Sequence, residues 1–194
     1  MPTGPLEVLE AVSRVLNGLG ISYLVGGSIA SSHYGIPRST LDIDLVADLA
    51  PHDAEPLAVE LGGDFFVDEV MILEAIEARR SFNIIHRESM FKVDVFVLKD
   101  DEWSAVEIER ARSETITGAQ GPVEVRFASA EDTLLHKLVW FKLGGETSDR
   151  QWGDVEGLMK VYGPRLDNPY LDRWAPYLEV VDLLARARAT LRST

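Results

Sequence analysis

Two aspartates, Asp42 and Asp44, lie one residue apart in the apolar segment Leu41–Val46, which has the composition of a buried β-strand. Because successive side chains of a strand point to opposite faces, the two carboxylates are predicted to share one face. Neighbouring carboxylates repel each other unless one is protonated, both are solvated at a strand end, or a divalent cation lies between them. The last arrangement predicts a metal site.

A third carboxylate, Asp94, interrupts the apolar segment Lys92–Leu98. The valines at positions 93, 95 and 97 are predicted to share one face, with Asp94 on the other. A carboxylate in the middle of such a strand is costly to bury unless it is paired or binds a metal. Taken alone, Asp94 is most simply a solvent-facing residue. Together with Asp42 and Asp44 it predicts a carboxylate cluster.

A Gly26-Gly27-Ser28 turn follows the predicted strand 21–25 and precedes the first two aspartates. Glycines allow a ligand to approach the backbone closely, and Ser28 is predicted to begin a helix whose unpaired N–H groups attract phosphate. A phosphate-binding turn beside a carboxylate cluster is the minimum that metal-assisted phosphoryl or nucleotidyl transfer requires.

These motifs resemble those of the nucleotidyltransferase superfamily that includes DNA polymerase β, CCA-adding enzymes and aminoglycoside nucleotidyltransferases. The turn Gly26–Ser28, followed by Arg38-x-Thr40-x-Asp42-Ile43-Asp44, is most similar to the AbiEii-type toxin group. Lys137 in AEDTLLHKLVWFK and Asp154 in DRQWGDVEGL fit two further positions of that group. The similarity extends over most of the chain, although only the stretch from the turn to the two aspartates is highly specific.

The resemblance implies transfer of a nucleoside monophosphate from a nucleoside triphosphate to a hydroxyl group, with release of pyrophosphate. Asp42, Asp44 and Asp94 would bind two Mg²⁺ ions, with Mn²⁺ as an alternative. Gly26, Gly27, Ser28 and Arg38 would contact the nucleotide. The implied acceptor is a tRNA 3′ end, and the implied partner of such a toxin is an antitoxin. A small-molecule acceptor, transfer of AMP to a protein, and a catalytically silent nucleotide-binding module are the alternatives.

Lys137 and Asp154 allow two interpretations that do not exclude each other. Lys137 lies within an apolar stripe of its predicted helix, so its ammonium must reach solvent or meet an anion. An ion pair with Asp154 is the structural interpretation. In the functional one, Lys137 binds nucleotide phosphates and Asp154 orients it. Arg38 is either a further phosphate contact or an ordinary loop residue, of which the second is the simpler reading.

The order of predicted elements indicates an α+β fold, with a mixed sheet flanked by helices over residues 1–128 and a helical subdomain, packed on that core, over residues 129–194. Helices are predicted at 6–19, 29–34, 51–61, 67–80, 102–110, 130–143 and 149–162, with one or two more over 170–191. Further strands are predicted at 82–86, 92–98, 115–117 and 123–127, forming two hairpins.

The composition of the chain limits which kinds of partner and bonding it can have. The 194 residues carry a net charge of −13 and no cysteine, which excludes disulfides and thiolate metal sites. No apolar stretch approaches the ~20 residues that span a bilayer, and the N-terminus has no secretion signal, so we expect a cytoplasmic protein without a membrane partner. So acidic a chain is a poor general binder of nucleic acid. Its basic residues concentrate between Arg79 and Lys92, which we interpret as a solvated helix end and hairpin, with a binding patch as the alternative.

Overall fold

A computed structural model describes residues 4–40, 42–118 and 121–191. Its internal contacts divide the chain into two compact units. The first contains the residues up to Gly26 and Thr40–Phe127; the second contains Gly27–Ser39 and the residues from Ala128 onward. Segment 27–39 thus groups with the later helices. The sequence predicted a single boundary at residue 128, with residues 27–39 in the core. That division stays a prediction.

One mixed sheet of seven strands forms the centre of the first unit as far as the structure describes it. Its strand order is β3-β4-β5-β2-β1-β7-β6. Neighbours pair antiparallel except β2 with β5 and β1 with β7, which are parallel. The strands are β1 Tyr23–Val25, β2 Asp42–Ala47, β3 Phe65–Phe66, β4 Ser81–His86, β5 Lys92–Val97, β6 Arg112–Gly118 and β7 Gly121–Phe127.

The helices belong to both units. In chain order they are α1 Pro5–Gly18, α2 Gly27–Tyr34, α3 Ala54–Leu61, α4 Glu69–Glu77, α5 Glu102–Arg110, α6 Ala130–Leu143, α7 Asp149–Tyr162, α8 Asn168–Tyr177 and α9 Val181–Thr190. Short 3₁₀ turns lie at Pro51–Asp53 and Gly163–Arg165. Within the described ranges, no helix combines the length and apolar character that a bilayer crossing requires.

The core of the first unit lies on one face of the sheet. On β2 the residues Ile43, Leu45 and Ala47 are fully buried, while those between them are only partly covered. The same alternation holds on β5. Helix α1 contributes a buried apolar stripe that contacts β2 and β7. The two faces of the sheet therefore differ: one is an apolar core, and the other carries the polar residues of β2 and β5.

The α+β fold class predicted from the sequence is confirmed, and most predicted elements agree with the structure. The predicted start of β2 at Leu41 lies outside the described residues. The helix predicted over 67–80 is shorter, because Asp68 caps its N-terminus by accepting a hydrogen bond from the backbone N–H of Met71, and Arg79 has a φ of 49°. The two-residue strand β3 is too short to produce a periodic pattern and was not predicted.

Close packing of α2 and α7 in the second unit depends on a glycine. A Cβ at Gly35, directly after α2, would lie 2.8 Å from the carbonyl oxygen of Ser31 and 2.9 Å from the backbone nitrogen of Leu158 in α7. Both obstacles are backbone atoms, which cannot turn aside as a flexible side chain can.

We therefore expect Gly35→Ala to lower the free energy of unfolding by about 1–3 kcal/mol, the usual cost of overpacking. Urea unfolding followed by circular dichroism measures it. Gly153→Ala is the matched control, since a Cβ there meets nothing within 4 Å on the exposed face of α7, and helix propensity predicts a gain of about 0.5–1 kcal/mol. Equal effects of the two substitutions would contradict this account of Gly35.

Candidate active site

Parallel pairing of β2 with β5 aligns two of the predicted carboxylates. The register places Asp44 directly opposite Asp94 and Asp42 opposite Lys92. Neighbouring strands lie about 4.8 Å apart, so the side chains of Asp44 and Asp94 leave the same face as neighbours. Asp42 lies two residues earlier on that face. All three carboxylates therefore leave the partly exposed face of the sheet, as the alternation in the sequence predicts.

Lys92 offsets the repulsion among these acids. Its ammonium lies 2.7 Å from Oδ2 of Asp94. The hydrogen bond to Asp94 has the largest effect and raises the pKa of Lys92, burial lowers it, and the charges of Asp94, Asp42 and Asp44 raise it further. Lys92 is thus held as a cation against the carboxylates. The sequence contains a signal for this contact, since Lys92 precedes Asp94 by two residues and must share its face.

Two further contacts fix the start of β2. The hydroxyl of Thr40 donates a hydrogen bond of 2.8 Å to Oδ1 of Asp42. The backbone N–H of Gly26 donates one of 2.9 Å to the carbonyl oxygen of Asp44. The first glycine of the predicted turn is therefore attached to the strand that carries the aspartates. The contact of Thr40 was not predicted, because a threonine near a strand end has many structural roles.

The three aspartates carry the type of ligand atom that a hard divalent cation prefers, and their strands place them near one another. Mg²⁺ prefers carboxylate oxygens, and Asp44 and Asp94 are direct cross-strand neighbours. In the present side-chain conformation Asp94 is bound to Lys92, and no three His, Cys, Asp or Glu side chains of the described ranges are arranged to hold a metal. Binding by these residues would therefore require the carboxylate of Asp94 to leave Lys92.

A second charged cluster lies within the second unit, around Asp154 on α7. Lys137 on α6 donates a hydrogen bond of 2.7 Å to Oδ2 of Asp154. Arg38, in the loop after α2, donates through Nε to Oδ1 at 2.7 Å and through Nη2 to Oδ2 at 2.9 Å. The side chains of Lys137 and Asp154 are only 5% and 6% exposed. This is a buried, bidentate arrangement, the strongest type of protein ion pair.

The ion pair between Lys137 and Asp154 that the sequence predicted is therefore present. Arg38 is more than an ordinary loop residue, because its guanidinium binds Asp154 and also donates a hydrogen bond to the hydroxyl of Ser28. Ser28 itself is buried at the second position of α2, which begins at Gly27 with a φ of 56°. A lone arginine in a loop has no periodicity that could have predicted this partner.

Electrostatics keep Asp154 ionised. Burial by itself would raise the pKa of this carboxyl, but the hydrogen bonds and charges of Arg38 and Lys137 outweigh it, and the pKa is lowered from its ordinary value of 3.8. Two cations from different elements therefore meet at one buried carboxylate.

Comparisons with known proteins identify the fold. No protein-family model matches the sequence, and no curated protein matches it significantly. Among solved structures, an antigenic nucleotidyltransferase-like protein from Paracoccidioides brasiliensis is 18% identical with a TM-score of 0.54, over 93% of this chain and 89% of that one. A lincosamide antibiotic adenylyltransferase bound to lincomycin is 14% identical with a TM-score of 0.50, over 83% and 99%.

A third similar structure is ANT(2″)-Ia in complex with adenylyl-2″-tobramycin, 16% identical with a TM-score of 0.50, over 96% of this chain and 99% of that one. At this level of sequence identity, the similarity shows the fold alone. The chain has a nucleotidyltransferase-like fold, as its motifs indicated.

The Asp154 cluster yields a prediction about stability and pH. Asp154→Asn would leave Lys137 and Arg38 without their carboxylate, and breaking a buried pair costs about 3–5 kcal/mol. Since folding lowers the pKa of Asp154, its stabilisation is complete well above pH 3.8 and is lost as the pH falls through the lower folded value. Urea unfolding of both proteins at pH 7 and at successively lower pH should show the difference shrinking on acidification.

Asp172→Asn serves as the matched control, because the Asp172 carboxylate pairs with Arg188 at the surface and is 61% exposed. Its loss should cost no more than about 1 kcal/mol at pH 7. A difference between wild type and Asp154→Asn that did not change from pH 7 to pH 3 would contradict the assigned charge state of Asp154.

Proposed function

We propose that the chain is a metal-dependent nucleotidyltransferase that moves a nucleoside monophosphate from a nucleoside triphosphate to a hydroxyl acceptor. The observation that supports it best is the register that makes Asp44 and Asp94 cross-strand neighbours, with Asp42 on the same face. The nucleotidyltransferase-like fold supports the same reaction class. The absence of a membrane-crossing helix among the described residues is compatible with the cytoplasm as the site of action.

In this proposal Asp42, Asp44 and Asp94 hold two Mg²⁺ ions, or Mn²⁺ in their place. When bound, these ions would neutralise phosphate charge and lower the pKa of the acceptor hydroxyl. Lys92 would then leave Asp94, and its charge would be replaced by that of the metal. Thr40 keeps Asp42 oriented through its hydrogen bond to Oδ1, so at least one carboxylate is fixed before the ligand arrives.

The proposed reaction is an in-line displacement. The acceptor oxygen forms a bond to the α-phosphorus of the triphosphate, the bond between that phosphorus and the β-phosphate oxygen breaks, and pyrophosphate leaves with the electron pair. Asp94 accepts the proton of the acceptor hydroxyl. Because no covalent enzyme intermediate is involved, the rate depends mainly on alignment of the reactants and on charge stabilisation.

The Asp154 cluster takes the role of a phosphate-binding site in this proposal. Lys137 and Arg38 supply its positive charge, and Asp154 fixes both side chains by accepting three hydrogen bonds. The backbone of Gly26 and Gly27 and the hydroxyl of Ser28 would contact the β- and γ-phosphates. Asp154 is thus a positioning residue, and Lys137 is the cation that would stabilise the leaving pyrophosphate.

The proposed function has several forms, which differ in the molecule that accepts the nucleoside monophosphate. Resemblance to AbiEii-type toxins supports a tRNA 3′ end, with an antitoxin as partner. The lincosamide adenylyltransferase and the ANT(2″)-Ia complex support a small hydroxylated molecule. Transfer of AMP to a protein is a further variant. Incubation with Mg²⁺, each α-labelled triphosphate and bulk tRNA, small alcohols or whole-cell protein separates them by where the label appears. Triphosphate binding without turnover would instead indicate a silent nucleotide-binding module.

Substitution of one metal-binding carboxylate tests the reaction directly. Asp44→Asn should reduce transfer of label at least about 100-fold, since it removes one ligand and one charge from the metal site while preserving side-chain size. Circular dichroism should show an intact fold. Asp48→Asn is the control, because Asp48 follows β2 on the exposed surface. Retained activity in Asp44→Asn would reject the metal role of this residue.

The contact of Lys92 yields a prediction that needs no acceptor. In Lys92→Met, the ammonium 2.7 Å from Asp94 is removed, so Asp94 loses this competitor for its carboxylate and the site should bind Mg²⁺ more tightly. The variant should melt at a lower temperature than wild type without Mg²⁺ and gain more on its addition. Thermal unfolding against Mg²⁺ concentration measures both. Lys142→Met, which removes a surface ion pair with Glu179, should show no such gain. Identical responses of wild type and Lys92→Met would contradict the metal site.

A further inference from the structure

Residues from four neighbouring chain segments form one row across the sheet of the first unit. The backbone N–H of Gly26, directly after β1, donates a hydrogen bond of 2.9 Å to the carbonyl oxygen of Asp44 on β2. Asp94 on β5 lies opposite Asp44, and Asn83 on β4 lies opposite Asp94. The row therefore runs from the start of the predicted phosphate-binding turn, through two carboxylates, to an asparagine.

The side chain of Asn83 leaves the same face of the sheet as Asp44 and Asp94, because directly opposed residues of paired strands share a face. Phe82 and Ile84 point to the apolar core on the other face, and Asn83 between them is exposed. Asparagine is a poor strand former, and within the described residues no hydrogen bond involves its side-chain amide. Neither strand propensity nor an internal bond therefore accounts for an asparagine in the middle of β4.

The proposed reaction assigns the two ends of this row to different reactants. In an in-line displacement the entering acceptor oxygen and the leaving pyrophosphate lie on opposite sides of the α-phosphorus. The β- and γ-phosphates are proposed to contact the turn that begins at Gly26, next to β2 on the side away from β5. The acceptor would then approach from the side of β4, where Asn83 lies one strand spacing, about 4.8 Å, beyond Asp94.

We infer that Asn83 binds the acceptor beside its reacting hydroxyl, and that the preferred acceptor is a vicinal diol. This inference rests on the proposed nucleotidyl transfer. One hydroxyl gives its proton to Asp94 and its oxygen bonds to the α-phosphorus, while the neighbouring hydroxyl stays intact and exchanges hydrogen bonds with the Asn83 amide. An amide offers donors and an acceptor without net charge, which suits a hydroxyl better than an ammonium or a phosphate. A sugar ring and the terminal ribose of an RNA share this chemistry.

The contact can be observed without turnover. The probe is the vicinal cis-diol of cyclohexane, and cyclohexanol is its counterpart with a single hydroxyl. In isotope-labelled protein, the NMR signal of the Asn83 side-chain amide is identified by its absence from Asn83→Ala. With Mg²⁺ and a non-hydrolysable triphosphate present, the diol should shift this signal more than cyclohexanol does. Asn83→Ala should bind the diol about three- to tenfold more weakly, the usual effect of losing one hydrogen bond.

Transfer assays then connect the contact to catalysis. Wild type should prefer the diol to cyclohexanol about three- to tenfold in kcat/KM, and Asn83→Ala should lose this preference without a change in the KM for the triphosphate. Asn83→Asp should instead favour the matching amino alcohol over the diol, since a carboxylate binds an ammonium strongly. Comparing two acceptors with one variant cancels any effect of the new charge on Asp94. An oligoribonucleotide and its counterpart with a terminal deoxyribose test whether the diol belongs to RNA.

Thr115→Ala is the matched control, because Thr115 is also an exposed strand residue but lies on β6, at the edge of the sheet remote from β4. It should change neither the binding of the diol nor the preference between acceptors. Three results would each overturn the inference: an Asn83 signal that responds equally to the diol and to cyclohexanol, a diol preference that survives in Asn83→Ala, or no measurable binding of either the cyclohexane diol or the oligoribonucleotide at millimolar concentration.

The failures of the two proposals are distinguishable. Absence of transfer from any triphosphate to any acceptor would reject the nucleotidyltransferase function, while the NMR titration would still decide whether Asn83 contacts a diol. Transfer by wild type with acceptor KM values and preferences that Asn83→Ala leaves unchanged would uphold the function and reject the role of Asn83.

Discussion

Parallel pairing of β2 with β5 is the constraint on which the carboxylate cluster depends. If β5 shifted by one residue in this register, Asp94 would turn toward the apolar core while Asp42 and Asp44 on β2 stayed in place. Burial of Ile43, Leu45 and Ala47 on one strand and of Val93, Val95 and Val97 on the next fixes the register. The hydrophobic core is therefore what holds like charges together, since directly opposed carboxylates oppose strand pairing. Lys92 reduces that opposition by placing its ammonium against Asp94.

In the second unit, the Asp154 carboxylate connects several elements. Here the neighbouring charges attract each other, and Lys137 and Asp154 are buried. A single carboxylate accepts hydrogen bonds from Lys137 on α6 and from Arg38 in the loop after α2, and Arg38 in turn contacts Ser28 within α2. Desolvation makes such a cluster costly to form, and three charge-assisted hydrogen bonds offset that cost. The cluster thus holds two cationic side chains in fixed positions around one carboxylate. In the proposed function, this fixed position is what would allow Lys137 and Arg38 to bind phosphate.

The sequence predicted what depends on local periodicity. Alternation along β2 and β5 indicated which residues share a face, and the two helices α5 and α7 were predicted with the bounds that the structure shows. The start of α6 has a local signal of the same kind, since Ser129 directly precedes the helix and caps it by accepting a hydrogen bond from the N–H of Asp132. Long-range pairing had no such signal. The register between Asp44 and Asp94 joins positions 50 residues apart, and periodicity alone does not show that they meet. That expectation came from the chemistry of three strand aspartates near the Gly26–Ser28 turn, and from the motif resemblance.

The partners of long side chains could be predicted only in part. Lys92 shares a strand face with Asp94, which is a signal in the sequence, but Arg38 lies in a loop and has several rotatable bonds, so its position does not determine which carboxylate it reaches. Their partners also decide their function: a cation bound to a carboxylate is a structural group until an anion or a metal competes for one member of the pair. In the proposed function, phosphate would have to be bound by such local cations, because the long-range field of a chain with a net charge of −13 repels it. Lys137 and Arg38, which meet at the Asp154 carboxylate, are the cations to which the proposal gives that role.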